Sequence, residues 1–244
     1  MGRKRMRRKS LLKRIVYSTG ILMTLCIVAV SFLKYGNHKG DVDNGKSNIE
    51  TRPHDQPSTE TLQTNHSSND LLLVNADNPL PEDYRPENLV DLYKQSNRHF
   101  LLMRSDIKLS KHVFEAMNAM FAAAQQDGVS GFYITSGYRT REEQRELYNT
   151  TTDGTAAKPG ESEHETGLAF DVGTKGNENF ELTPQFKWLS KHCAEYGFIL
   201  RYPKGMEEVT GLPYEPWHYR YVGKEAAKAI MDNGITLEQY LGIR

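Results

Sequence analysis

The chain has 244 residues, enough for one ordinary domain with extensions, and its 38% hydrophobic and 25% charged residues are typical of globular proteins. The formal net charge of +0 conceals an asymmetry, because the first 14 residues hold eight Lys or Arg and no acid. The remaining residues carry 23 basic and 31 acidic side chains, a net charge of −8, which argues against sequence-independent nucleic-acid binding.

Residues 15–33 follow the basic segment and form an unbroken stretch of 19 uncharged residues. A helix of that length rises about 28 Å, close to the ~30 Å thickness of the hydrocarbon core of a membrane. The positive charges before it favour a cytoplasmic N-terminus. We therefore expect residues 1–14 to be a basic cytoplasmic tail and residues 15–33 to be a transmembrane signal anchor. A cleaved signal peptide and a buried core helix are the alternatives.

Residues 34–70 are rich in Gly, Asn, Asp, Ser, Thr, His and Pro and show no hydrophobic periodicity. Such a composition buries too little apolar surface to offset the entropy of ordering, so we predict a flexible stalk. The folded domain is expected over residues 71–244. In this arrangement the protein crosses the cell membrane once, and its domain lies outside the cytoplasm.

Helical and strand patterns alternate along residues 71–244. Thr140 and Glu143 form a capping box, Pro184 suits a first helical position and Gly197 suits a helix end. The last two strands are joined by a loop alone, so we predict an α+β domain with a small, mostly antiparallel sheet flanked by helices. The predicted elements are a helix after Ser110, a strand at 132–135, a helix from Thr140 to about Asn149, a strand at 168–172, a helix from Thr183 to Gly197, strands at 198–202 and 217–222, and helices at 224–233 and 237–241.

Two groups of potential metal ligands occur in this domain, one around His164 and Asp171 and the other around His218. A catalytic zinc site needs three nitrogen or oxygen ligands, an open position for water and a neighbouring carboxylate that accepts the proton of that water. The two histidines and Asp171 can supply the ligands, and Glu215 can supply the carboxylate. Each histidine alone is more often structural or exposed, so both interpretations stay open on spacing alone.

Strand alternation bears on the first group. With a period of two, Phe170 and Val172 face one side of their strand and Asp171 faces the other. Gly167 allows the chain to turn, so that His164 can return to the position of Asp171. We therefore expect both side chains to lie on the face of the sheet that is not packed in the core.

The second group presents a difficulty, because Glu215 and His218 are three residues apart and would face opposite sides of a straight strand. Pro216 lies between them. Proline cannot donate to a strand ladder and fixes its own φ, so we expect the strand to begin after Pro216. Glu215 would then lie on a bent approach that returns towards the metal.

Three segments carry a resemblance to a known family. Residues 162–171 match S-x-H-x-x-G-x-A-x-D, residues 215–218 match E-x-W-H, and residues 136–139 read S-G-Y-R. These motifs resemble those of the VanY-type zinc D-alanyl-D-alanine carboxypeptidases, which are LAS-type metallopeptidases. The resemblance extends over residues 71–244 and implies a zinc D,D-carboxypeptidase domain. It also implies the fold shared by hedgehog domains and D,D-peptidases, with the zinc site on the sheet.

The resemblance implies a role for each motif residue. His164, Asp171 and His218 correspond to the ligands of one Zn²⁺ ion, and Glu215 corresponds to the general base. Arg139 corresponds to the arginine near the substrate carbonyl and its developing negative charge.

Other motif positions correspond to the substrate pocket, namely Ser162, Gln144 and Tyr138. Gln144 is the weaker assignment of these, because an exposed polar residue is the usual occupant of such a helix position. Tyr138 and Trp217 could each be a pocket wall or a core aromatic residue, and for Trp217 we expect the core.

The resemblance also implies a substrate, the C-terminal D-Ala of peptidoglycan stem peptides or precursors, and a contribution to glycopeptide resistance is a hypothesis that follows. Relatives of this fold include L,D-carboxypeptidases and cell-wall endopeptidases, which remain alternatives. A non-catalytic zinc or wall-binding module is a further alternative. The presence of Glu215 argues against it, because a structural zinc site needs no base.

Overall fold

The computed structural model describes residues 70–152, 156–176 and 179–243. The strands in this part of the chain are β1 (Leu89–Asp91), β2 (Leu101–Leu102), β3 (Lys108–Ser110), β4 (Tyr133–Ser136), β5 (Ala169–Gly173), β6 (Phe198–Leu200) and β7 (His218–Tyr221). The α-helices are α1 (Lys111–Gln126), α2 (Arg141–Thr150), α3 (Pro184–His192), α4 (Glu207–Thr210), α5 (Lys224–Asn233) and α6 (Leu237–Leu241).

The predicted cytoplasmic tail and signal anchor, and the predicted stalk apart from Asp70, lie outside the described residues. Within the described residues, no helix has both the length and the apolar character needed to cross a membrane. The anchor at residues 15–33 therefore stays a prediction.

A five-stranded sheet forms the centre of the domain, with the strand order β2-β4-β5-β7-β6. Its β2 and β4 strands run parallel, and its other neighbouring pairs are antiparallel. The β1 and β3 strands pair with each other in a separate two-stranded sheet. The predicted α+β class with a small, mostly antiparallel sheet is confirmed.

Helices α2 and α3 begin at residues that carry capping signals. The Thr140 side chain accepts a hydrogen bond from the Glu143 N–H, and the Glu143 carboxylate accepts one from the Thr140 N–H, at the start of α2. Pro184 is the first residue of α3, and a 3-10 turn continues it to Gly197, which has a φ of 88°. Strands β1 to β3 and helix α4 were not predicted, and each has only two to four residues.

The larger of two buried hydrophobic clusters lies on one face of the central sheet. Met117 and Phe121 of α1 belong to the same buried cluster as Phe170 and Val172 of β5 and Tyr219 of β7. Alternation then directs the residues between them to the opposite face, as predicted for β5. That opposite face carries the polar side chains described next.

Candidate metal centre and active site

Asp171 and His218 are cross-strand partners on β5 and β7, so their side chains project side by side from the polar face of the sheet. Asp171 Oδ1 lies 3.1 Å from His218 Nδ1, and Asp171 Oδ2 lies 3.3 Å from His164 Nε2. One ligand atom from each of these three residues lies within 4.8 Å of the others. The structure therefore brings together the three predicted ligands, which come from two separate segments of the sequence.

His164 reaches this position on a 3-10 turn, Glu163–Thr166, which ends at Gly167 with a φ of 71°. A Cβ atom on Gly167 would lie 2.9 Å from Ser110 Oγ and 3.0 Å from Leu89 Cδ2, so both the backbone conformation and the space require glycine. The His164 carbonyl accepts a hydrogen bond from the Arg139 N–H at 3.1 Å. The turn is thus fixed against two neighbouring segments.

In both histidines, the ring nitrogen that points away from Asp171 also has a hydrogen-bond partner. His164 Nδ1 lies 2.8 Å from the Gly137 carbonyl oxygen, an acceptor, so this nitrogen carries the proton and leaves the Nε2 lone pair directed at Asp171. His218 Nε2 lies 3.3 Å from Glu163 Oε2, while its Nδ1 faces Asp171. Such partners orient histidine ligands in metal sites.

The charges of the group suit a divalent cation. Although burial opposes it, His164 and His218 hold the pKa of Asp171 far below its usual range, so this carboxyl is anionic. Burial lowers the pKa of His164 and favours its neutral form. Burial also disfavours a charged His218, but hydrogen bonds to Asp171 and Glu163 outweigh it and raise the pKa of His218 to about 9. This negative environment attracts protons or a metal ion, and two imidazole nitrogens with one carboxylate oxygen form a catalytic zinc donor set.

Glu215 approaches His218 through a turn at Pro216 and Trp217. The His218 N–H donates to the Glu215 carbonyl at 3.2 Å, and the strand begins at His218, after the proline, as predicted. The turn leaves Glu215 Oε2 3.7 Å from His218 Nδ1. Burial raises the pKa of Glu215 to about 7, which is the range expected of a general base at neutral pH.

Arg139 lies on the other side of the group, just before α2. Its Nη1 donates to Gln144 Oε1 at 2.5 Å and its Nη2 donates to Ser136 Oγ at 3.0 Å. In the described part of the chain no carboxylate forms an ion pair with Arg139. Burial lowers the pKa of its guanidinium, and the charge of Asp171 opposes that effect. Its positive charge is therefore held in place by neutral acceptors and stays available to a negatively charged group.

Gln144 differs from the exposed polar residue that is usual at such a helix position. It is 1% exposed, and its Nε2 donates to the Ala157 carbonyl at 2.6 Å while its Oε1 accepts from Arg139. It lines the same cleft as Arg139 and the three potential ligands. Its contacts make it a residue that holds Arg139.

The cleft over the metal group has a volume of about 400 Å³. Ser162 lines it, as predicted for a pocket residue, whereas Tyr138 borders two neighbouring clefts that meet this one at Arg139. Trp217 is 42% exposed and lines the cleft, so its assignment to the core was wrong. The turn that positions Glu215 also directs the indole away from the core face.

Glu163 is the main residue that the sequence analysis missed. It is fully buried and contacts two fully buried arginines, Arg201 and Arg220, as well as His218. One signal was available, because Arg220 follows His218 by two residues and must share its face of β7. The sequence contained no comparable signal for Arg201, which lies beyond the end of β6.

Comparison with known proteins gives the family. A family model described as "VanY: D-alanyl-D-alanine carboxypeptidase" matches residues 106–224. A D-alanyl-D-alanine carboxypeptidase of Enterococcus faecium is 34% identical over 211 residues, which cover 86% of this chain and 69% of the relative. The chain belongs to the VanY family of D-alanyl-D-alanine carboxypeptidases.

Two solved structures resemble this VanY-family chain. The LdcB LD-carboxypeptidase is 37% identical to this chain, with a TM-score of 0.62. The match covers 70% of this chain and 86% of the LdcB chain. The vancomycin-resistance D,D-pentapeptidase VanY of a VanB-type cassette, solved as a mutant with Zn(II), is 35% identical, covers 70% of this chain and 98% of its own, and has a TM-score of 0.58. The fold and the metallopeptidase class of the family thus agree with the donor set found here.

Proposed function

We propose that this protein is a zinc-dependent D,D-carboxypeptidase that removes the C-terminal D-Ala from peptidoglycan stem peptides or precursors. The observation that carries the proposal is the arrangement of His164, Asp171 and His218 within 4.8 Å, with the Glu215 carboxylate 3.7 Å from His218 in the same cleft. The relative from Enterococcus faecium and the zinc-bound VanY support the choice of substrate and metal.

One zinc ion would be held by His164 Nε2, Asp171 and His218 Nδ1, since these atoms face one another while the outer histidine nitrogens have other partners. A bound zinc ion supplies Lewis-acid polarisation of a carbonyl and lowers the pKa of a coordinated water. Three protein ligands would leave one coordination position for water or substrate, which is typical of catalytic zinc.

Glu215 acts as the general base in this proposal. Its carboxylate accepts the proton of the attacking water and later delivers that proton to the leaving amine of D-Ala. The turn at Pro216 keeps this carboxylate beside the ligand group.

Arg139 stabilises the negative charge that develops on the carbonyl oxygen. Its two terminal nitrogens are already fixed by Ser136 and Gln144, so the guanidinium needs little reorganisation during the reaction. Ser162 and Trp217 line the same cleft and are placed to contact the substrate. Tyr138 remains a predicted substrate contact from the adjoining cleft.

A second candidate is L,D-carboxypeptidase activity, favoured by the similarity to LdcB. Mass spectrometry of products from stem pentapeptide, stem tetrapeptide and cross-linked muropeptides tests both candidates. A D,D-carboxypeptidase releases one D-Ala from the pentapeptide and leaves the tetrapeptide intact. Conversion of the tetrapeptide alone would establish the L,D alternative, and cleavage of the cross-link would establish an endopeptidase.

Glu215→Gln tests the mechanism. The amide preserves shape but cannot accept the proton, so we expect retained zinc and a loss of about 10³ in kcat, equivalent to about 4 kcal/mol. Glu208→Gln, on the exposed face of α4, is the control and should keep full activity. Near-normal turnover by zinc-loaded Glu215→Gln would assign the base elsewhere.

We also propose that residues 15–33 anchor the protein in the cell membrane with the catalytic domain outside, where it meets peptidoglycan. A role in glycopeptide resistance follows if the enzyme removes the D-Ala that such antibiotics bind. Membrane fractionation of the full-length chain and protease treatment of wall-less cells test the location. A soluble form with a new N-terminus near residue 32 would instead indicate a cleaved signal peptide.

A further inference from the structure

Four charged side chains are buried together beneath the proposed metal centre: Glu163, Arg201, Arg220 and Glu238. Arg201 and Arg220 are 0% exposed, and Glu163 is 1% exposed. Burying charges opposes folding unless each is paired and hydrogen-bonded, and even a satisfied network adds little stability over apolar packing. Because this buried charged group contacts His218 through Glu163, its position points to a function beyond stability.

The two oxygen atoms of Glu163 have different partners. Arg201 Nε donates to Oε1 at 2.7 Å, and Arg220 Nη1 donates to the same Oε1 at 2.8 Å. Oε2 faces His218 Nε2 at 3.3 Å. Both guanidiniums thus fix the carboxylate on one side and leave its other oxygen for the histidine.

Each arginine is itself held by other groups. Arg201 Nη1 and Nη2 donate to Glu238 Oε2 and Oε1 at 3.0 and 2.5 Å. Arg220 Nη2 donates to the carbonyl oxygens of Asp70 and Leu72 at 3.0 and 2.7 Å. The position of Glu163 is therefore determined by several elements at once.

We propose that Glu163 is a positioning residue that holds one proton of His218 on Nε2, so that Nδ1 is the nitrogen that a metal ion would bind. A carboxylate held by two guanidiniums accepts hydrogen bonds and has no proton to donate, so the facing Nε2 must be the donor. The inference rests on the proposed metal centre, in which His218 Nδ1 faces Asp171 at 3.1 Å.

Replacing Glu163 with the isosteric glutamine tests whether its carboxylate fixes the position of the His218 proton. In Glu163→Gln the amide oxygen belongs opposite the two guanidiniums, because both are donors. The NH₂ group then faces His218 Nε2 and favours a lone pair there, which moves the histidine proton to Nδ1. The opposite amide orientation places NH₂ against two cations, so neither orientation preserves the arrangement.

Glu165 provides a matched control on the same 3-10 turn. It is 4% exposed and accepts from Arg141 Nε at 2.5 Å and from the Gly160 N–H at 2.6 Å. Within the described residues its side chain forms no hydrogen bond or ion pair with a proposed ligand. Glu165→Gln therefore removes a buried carboxylate–arginine pair without changing the partner of His218.

The test compares zinc affinity of the full-length wild-type chain and both variants by competition with a chromogenic chelator. We expect zinc binding to weaken about 10- to 100-fold in Glu163→Gln, as for other partners of metal ligands, and to change less than about 2-fold in Glu165→Gln. Thermal unfolding measured alongside separates this loss from a general loss of stability. Equal zinc affinity of Glu163→Gln and wild type would overturn the proposal.

A second measurement needs no variant and remains available if Glu163→Gln does not fold. Long-range ¹H–¹⁵N correlation NMR of the zinc-loaded wild type, with ¹⁵N-labelled histidine, reports which His218 nitrogen carries the proton. We expect a proton on Nε2 and metal on Nδ1, and the reverse assignment would overturn the proposal. A wild-type chain that binds no zinc would instead refute the metal centre, and with it both the proposed function and this inference.

Discussion

Substitution of Arg139 tests the electrostatic part of the mechanism. Arg139 uses Nη1 for Gln144 and Nη2 for Ser136, and these two contacts point the remaining donors along a fixed plane. The single nitrogen of lysine cannot replace both contacts and also reach the substrate. We therefore expect Arg139→Lys to be nearly as damaging as Arg139→Ala.

The magnitude follows from the stage at which the interaction forms. Removing one donor to a developing oxyanion lowers kcat by about 10² to 10³, equivalent to about 2.7 to 4 kcal/mol. Here the donor is partly buried and has no carboxylate partner in the described part of the chain, so the upper half of that range is expected. Because the interaction strengthens in the transition state, the loss should appear in kcat.

The assay is steady-state release of D-Ala from a peptide that ends in D-Ala-D-Ala. Arg104→Lys is the control, because Arg104 is exposed in the neighbouring cleft and pairs with Asp106. A loss confined to KM would make Arg139 an anchor for the substrate carboxylate. Unchanged kcat and KM would refute the argument altogether.

The remaining predictions concern the elements around Arg139 and the metal centre. Gln144→Glu would give Arg139 a buried carboxylate partner, so kcat should fall although the arginine is retained; unchanged kinetics would contradict the idea that its charge must stay unpaired. His164→Ala, Asp171→Ala and His218→Ala should each lose most bound zinc by elemental analysis, and full occupancy in any of them would show that the ligand set is wrong. Gly167→Ala should destabilise the domain by about 1–3 kcal/mol in urea unfolding, because alanine at φ 71° is strained; an unchanged midpoint would contradict this. Burial opposes ionisation of Glu238, but Arg201 outweighs this effect and lowers the pKa of Glu238. The carboxylate therefore stabilises the fold at pH values above 4.5, the usual pKa of glutamate, and this stability is lost as the pH falls through the lower pKa of the folded state. Glu238→Gln should flatten the fall in thermal stability below pH 4.5, and an identical pH profile would contradict the assignment.

Local signals in the sequence were sufficient for the longer helices and for the class of fold, whereas the ligand group was assigned through the family resemblance. The Thr140–Glu143 capping box, Pro184 and Gly197 act through backbone hydrogen bonds and φ angles within a few residues, so they are readable without the fold. Gly167 was readable for the same reason, because it ends the turn that carries His164 with a positive φ. Pro216 also predicted the bend before β7, since proline restricts the backbone at its own position.

Long-range contacts could not be read in this way. The environments of Glu163 and Gln144 depend on partners that are distant in the chain or folded back over it: Arg201 is 38 residues from Glu163, and Ala157 is 13 residues from Gln144. Trp217 has a large apolar side chain of the kind that usually packs in a core, but the turn that brings Glu215 to His218 leaves its indole exposed in the cleft. Residue type and period describe what a side chain prefers, whereas burial and charge pairing depend on which strands become neighbours, and the pairing of β5 with β7 is what joins Asp171 to His218.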